Sequence, residues 1–140
     1  MNDKFFLDTN IVVYSFDTAS PAKRDISRAL ISNAISSGNG MVSFQVVQEF
    51  CNVALQKFKK PLSAADMREF LECILMPLCA VFPSGGFYSE ALDVRERTGY
   101  SFYDSMIIQA ALEADCGTLF SEDMQDGFKL FSLTIKNPFK

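Results

Sequence analysis

The sequence predicts an α/β fold, a mainly parallel sheet with helices on both faces, from three observations. Short apolar runs of strand type alternate with longer segments whose apolar residues recur at helical spacing. Ser, Asp, Gly and Pro stand where those helices should start and stop. A length of 140 residues, 49% of them hydrophobic and 21% charged, fits one domain over residues 1–140 with a core of ordinary size.

Lys4 to Leu7 is the first strand-type run. Ser20-Pro21 then starts a helix, serine as cap and proline at the first helical position. It runs to Ser37 with Ala22, Ile26, Ala29, Leu30 and Ala34 as its expected inward face, and "SGNG" ends it with residues that tolerate a left-handed turn. Met41-Val42 is a second short strand. Ser43 caps a helix from Phe44 to about Phe58, where Val47, Phe50, Cys51, Ala54 and Phe58 repeat at helical spacing.

Ser63 and Asp66 stand at capping-box spacing for the next helix, whose inward stripe is Met67, Phe70, Leu71, Ile74 and Leu75 and which Pro77 should stop. Cys79 to Phe82 is a third strand. Helices are expected from about Phe87 to Thr98 and from Tyr103 to Ala114, with a fourth strand at Thr118 to Phe120. Near the end, Phe131, Leu133 and Ile135 alternate with Ser132, Thr134 and Lys136, the pattern of a half-buried edge strand.

Composition excludes several function classes. The longest apolar stretch, Cys73 to Phe82, contains Pro77 and falls short of the roughly 17 residues a membrane span needs. The opening "MNDKFFLDTN" carries an acid where a signal peptide would be apolar, so a cytoplasmic protein is expected. Cys51, Cys73, Cys79 and Cys116 form no C-x-x-C pair and there is no histidine, which leaves a zinc site without its usual ligands and makes buried, inert thiols the expectation. A net charge of −4 argues against nucleic-acid binding through a broad basic surface.

In parallel sheets of this kind ligands bind beyond the carboxyl ends of the strands. Four acids are placed there: Asp8 after the first strand, Glu49 in the helix after the second, Asp104 opening the last long helix, and Asp123 after the fourth strand. Each also has a plainer reading. Asp8 caps a helix, unless Thr9 or Asn10 does so. Glu49 shares a polar stripe with Gln45, Asn52 and Gln56, as on a solvated helix face. Asp123 sits in an acidic turn with Glu122 and Asp126. Asp104 is the most telling: at about 100° per residue it lies only about 60° from the centre of the Ile107, Ala110, Ala111 and Ala114 face, where a carboxylate is costly unless compensated.

Together the four say more than any one. Two carboxylates about 4 Å apart repel by about 4 kcal/mol at an effective dielectric near 20. A divalent cation relieves that repulsion and leaves the acids ionised. Oxygen ligands without histidine or paired thiolates favour the hard ions Mg2+ or Mn2+, and magnesium shares its shell readily with substrate phosphates.

The segments "FFLDTNIVVYSF", "SFQVVQEFCNV", "YSFYDSMIIQAAL" and "TLFSEDMQDG" resemble, in order, the four acidic motifs of PIN-domain ribonucleases, in particular the VapC-like toxins of type II toxin–antitoxin systems. The resemblance spans nearly the whole chain. It implies a three-layer α/β/α sandwich around a mainly parallel sheet of about 4–5 strands, and Mg2+- or Mn2+-dependent RNA cleavage. It carries the metal-binding catalytic role onto Asp8, Glu49, Asp104 and Asp123, with supporting hydrogen bonds from Asn10 and Ser121. Ser121 stands where the family more often has threonine. An antitoxin protein and a homodimer are the partners it implies, with RNA as substrate.

Lys57, Lys59 and Lys60, with Arg24, Arg28, Arg95 and Arg97, are the candidate RNA contacts outside the acids, although such runs are commonly solvated helix ends. Two other classes stay open. A haloacid-dehalogenase-like phosphatase would use Asp8 as nucleophile but wants a second aspartate where Asn10 stands. A non-enzymatic α/β binding module would use the acids only as caps.

Overall fold

The computed structural model describes residues 2–140. Its core is a six-stranded sheet in the order β3-β2-β1-β4-β6-β5, built from β1 (Phe5–Leu7), β2 (Gly40–Ser43), β3 (Cys79–Val81), β4 (Thr118–Phe120), β5 (Lys129–Leu130) and β6 (Leu133–Lys136). All pairings are parallel except that of the two-residue β5 with β6. All three residues of β1 are buried, as expected of a central strand covered on both faces.

Between β1 and β2 lie α1 (Thr9–Tyr14) and α2 (Pro21–Ser37). Between β2 and β3 lie α3 (Phe44–Gln56), α4 (Ala64–Phe70), a π-helical turn (Leu71–Leu75) and α5 (Met76–Leu78). These connections step outward in one direction, whereas α6 (Phe87–Thr98) and α7 (Phe102–Glu113) carry the chain back across the sheet to β4. Right-handed crossovers therefore put α6 and α7 on the opposite face, which gives the three layers. The direction of travel reverses between the neighbours β1 and β4, and the crevice at their carboxyl ends is where such sheets bind ligands.

Several elements depart from the sequence expectation. Pro77 does not stop the fourth helical segment, which continues to Leu78. Met76 N–H bonds to the Leu71 carbonyl five residues back, so the widened turn lies just ahead of the proline ring. The buried face of α2 is Ser27, Ile31 and Ala34, while Ala22, Ile26 and Ala29 face water. Apolar residues occur on all sides of this helix, so its rotation is set by the close seating of Ala34 on Gly40. The expected edge strand is β6, which lies inside the sheet between β4 and β5. Leu133 and Ile135 are buried as the alternation implied, but Phe131 sits exposed in the β5–β6 turn with φ 53°. Cys116 is buried and its thiol is pushed up to about 12 by that burial, whereas Cys73 is exposed, contrary to the expectation of four buried thiols.

Gly40 fixes the α2–β2 packing. A Cβ there would collide with the Ala34 side chain, lie 2.6 Å from Ala34 Cα and 2.9 Å from the Phe5 ring. Gly40→Ala is expected to destabilise the fold by about 1–3 kcal/mol, the usual cost of overpacking. A urea melt checks this, and an unchanged midpoint would refute it.

Candidate active site

Asp8 ends β1 and caps α1, with Thr9 N–H donating to its Oδ1 at 2.7 Å. Neither Thr9 nor Asn10 takes that role. Its own N–H bonds to Phe120 O across the sheet, which fixes it at the β1–β4 crevice. The residue is 5% exposed, and Ser121 Oγ, fully buried at the end of β4, donates to its Oδ2 at 2.8 Å. Ser121 Oγ also accepts from Asp123 N–H at 3.3 Å, so one hydroxyl links the first acid to the loop carrying the fourth. Threonine would offer the same hydroxyl.

Asp8, Glu49, Asp104 and Asp123 all line one cleft of about 360 Å3, together with Thr9, Asn10, Tyr14, Gln45 and Tyr103. The stripe of α3 read as solvated divides: Asn52 and Gln56 are exposed, but Gln45 is buried and Glu49 half-buried against the cleft. Thr9 Oγ1 donates to Glu49 Oε1 at 2.6 Å, joining the first motif to the second. Asp104 lies in the first turn of α7 behind the cap Ser101, whose Oγ accepts from Asp104 N–H at 3.1 Å.

Burial and neighbouring charge both act on these acids. Burial pushes the Asp8 carboxyl up to about 7; hydrogen bonds from Ser121 and Thr9 N–H oppose this, and the charges of Asp123 and Glu49 add to it. Asp104 is also pushed up, first by desolvation, with Ser101 opposing and Asp123 adding. No Lys or Arg lines the cleft among the described residues. Glu122 and Asp126 are engaged elsewhere: Glu122 pairs with Lys23 at 2.6 Å, and Asp126 accepts from Asn137 N–H at 2.8 Å.

The donor chemistry fits a hard divalent cation. Every carboxylate lining the cleft supplies oxygen, and Asn10 Oδ1 lies buried beside them without a hydrogen-bond partner. It thus differs from the hydrogen-bonding support expected of Asn10. The side chains do not form a closed cage, because among the described residues no three acidic, His or Cys groups stand close enough together to hold an ion.

The model of one protein family, the PIN domain, matches residues 5–129, most of the chain. The chain belongs to the PIN-domain family. Family membership supports a nuclease, and several solved structures share the fold. FitAcB of Neisseria gonorrhoeae is similar with a TM-score of 0.64 and 19% identity, over 96% of this chain and 98% of that one. VapBC2 of Rickettsia felis, bound to a promoter DNA fragment, gives 0.60 and 18% over 95% and 97%. The Mycobacterium tuberculosis toxin VapC20, described as cleaving the sarcin–ricin loop, gives 0.57 and 15% over 86% and 92%. No curated protein matches in sequence. Among the described residues, no helix of this PIN domain is long and apolar enough to cross a membrane.

Sequence reasoning missed Thr9, Tyr14, Gln45 and Tyr103 in the PIN-domain cleft. Thr9 was weighed only as a cap, Gln45 only as surface, and Tyr103 only as the start of a helix. Gln45 and Glu49 are one helical turn apart, a spacing that puts both on one face of α3 and offered the signal.

Proposed function

We propose that this PIN domain is a divalent-metal-dependent endoribonuclease in which Asp8, Glu49, Asp104 and Asp123 hold Mg2+ or Mn2+ against the scissile phosphate. The observation that carries the reading is the convergence of four carboxylates, distant in sequence, on one cleft around a buried Asp8, with no cationic side chain among its described lining residues. Bound there, a divalent ion would lower the pKa of a water and offset charge on the cleaved phosphodiester. The chain's own residues do the positioning. Ser121 and Thr9 N–H orient the two oxygens of Asp8, Thr9 Oγ1 orients Glu49, and the cap at Ser101 fixes the turn from which Asp104 projects.

The acids also repel an RNA backbone unless an ion reverses the local sign, so substrate binding and metal binding should be coupled. Membership of the family and the likeness to FitAcB, VapBC2 and VapC20 support a toxin of a toxin–antitoxin pair with an antitoxin protein as regulator; a homodimer as the assembled form and the cytoplasm as the site of action complete the proposal on the sequence resemblance alone. The family match removes the basis for the haloacid-dehalogenase-like phosphatase.

The test is RNA cleavage by the purified chain with Mn2+, with Mg2+ and with EDTA. Cleavage is expected with one or both ions and none after chelation, with recovery on adding the metal back. Cleavage that persists in EDTA would remove the metal from the proposal, and no cleavage with any divalent ion would remove the nuclease.

A further inference from the structure

Tyr103 is 68% exposed, on the lip of the cleft and next in sequence to Asp104. A tyrosine ring left in water forgoes the burial that normally stabilises aromatic residues. Neighbouring aromatic groups on this side are already engaged. Tyr14 also lines the cleft, but Lys23 Nζ stands 4.7 Å from its ring centroid and Phe139 packs edge-on at 5.2 Å. Among the described aromatic rings, Tyr103 meets only Phe102, with centroids 6.2 Å apart and planes tilted by 60°.

The backbone under this ring is held firmly. Gln45, 4% exposed on α3, donates its Nε2 to Tyr103 O at 3.2 Å, and its own Oε1 is buried without a partner. A buried amide thus ties the start of α7 to the helix bearing Glu49. The ring is presented from a capped first helical turn, so little backbone freedom is lost when something packs on it.

The cleft has no Lys or Arg among its described lining residues, and the whole chain carries a net charge of −4. Nucleic acid is ordinarily gripped by basic side chains along its backbone. Here that grip is missing beside the acids, and an exposed aromatic face stands in its place. Base–aromatic stacking is tolerant of sequence and independent of charge.

We propose that Tyr103 is the base-stacking residue of the cleft, packing against an unpaired base next to the phosphate held by the acids, with Gln45 fixing its position. The proposal rests on the ribonuclease reading and adds to it one residue contact, which an unpaired base can make because a base must leave the duplex stack to lie on the ring.

The chain has no tryptophan, so Tyr103→Trp places a single indole at the lip, whose emission can be excited apart from that of the remaining tyrosines. With Mn2+, single-stranded RNA should quench that fluorescence while cleavage is retained. Tyr103→Ala should raise KM by about 5- to 100-fold, the weight of one stacked base, with kcat within about threefold of the parent. Tyr103→Phe should behave as the parent. If the parent cleaves RNA but Tyr103→Ala leaves KM unchanged, or the Tyr103→Trp emission does not respond to RNA that is cleaved, the stacking role is wrong and the nuclease stands. If the parent cleaves nothing yet RNA quenches the Tyr103→Trp emission, the stacking site stands and the nuclease reading fails.

Discussion

Asp8→Asn is expected to lower RNA cleavage by more than about a hundredfold, since losing even an outer partner of a metal site costs about 10–100-fold, while leaving the apo fold more stable than the parent at pH 8. Asparagine keeps the acceptor for Thr9 N–H and a polar group facing Ser121, but removes the charge that burial disfavours. In the folded chain the Asp8 carboxyl titrates at about 7 against its ordinary 3.8. Between those values the folded state keeps a proton that the unfolded state has released. Stability therefore falls as pH rises through that window, by roughly 4 kcal/mol at the upper limit.

Parent and variant should accordingly be alike near pH 4 and diverge toward pH 8, with the variant the more stable. Adding Mn2+ at pH 8 should raise the melting temperature of the parent and not that of the variant. Denaturant titration across pH, with and without the ion, reads all of this. A variant that still cuts RNA at the parental rate would show that Asp8 is not needed, and parallel pH profiles would show that its carboxyl is not strained by burial.

Phe50→Ala is expected to cost about 3–5 kcal/mol, the range for truncating a buried phenylalanine. Phe50 is fully buried on α3 and packs against Phe16, Phe58 and Phe70, with centroids 5.6, 6.2 and 5.1 Å away. Its neighbour in sequence, Glu49, lines the cleft. The same helical turn thus anchors α3 and supplies an acid. For a domain whose total stability is of the order of 5–15 kcal/mol, the loss should leave a measurable unfolded fraction at moderate temperature. A melt indistinguishable from that of the parent would mean that α3 is held by something other than this aromatic group.

Parts of the site were legible because they depend on local chemistry. Asp8, Asp104 and Asp123 each fall just after a strand or in the first turn of a helix, positions that caps and apolar runs mark in sequence. The tilt of Asp104 toward the core side of α7 also follows from helical spacing alone, and the residue is half-buried as that spacing required. Glu49 was harder, because its polar stripe reads the same whether it meets water or a cleft. The rotation of α2 was misread for a related reason. Periodicity gives the angles among residues of one helix but not the angle of that helix to its neighbours, which here is decided by Ala34 against Gly40.

The sequence by itself determined the alternation of strands and helices, the placing of acids at strand ends and helix starts, and the oxygen-rich, histidine-free donor set, since these depend on residue type and on spacing over a few positions. Only the tertiary structure decided that the Asp8 carboxyl is buried and receives its hydrogen bond from Ser121, 113 residues away, that Thr9 holds Glu49, and that Gln45 pins Tyr103 at the lip. Burial and electric field at an atom are sums over neighbours that the fold brings together, and no local stretch of chain contains them.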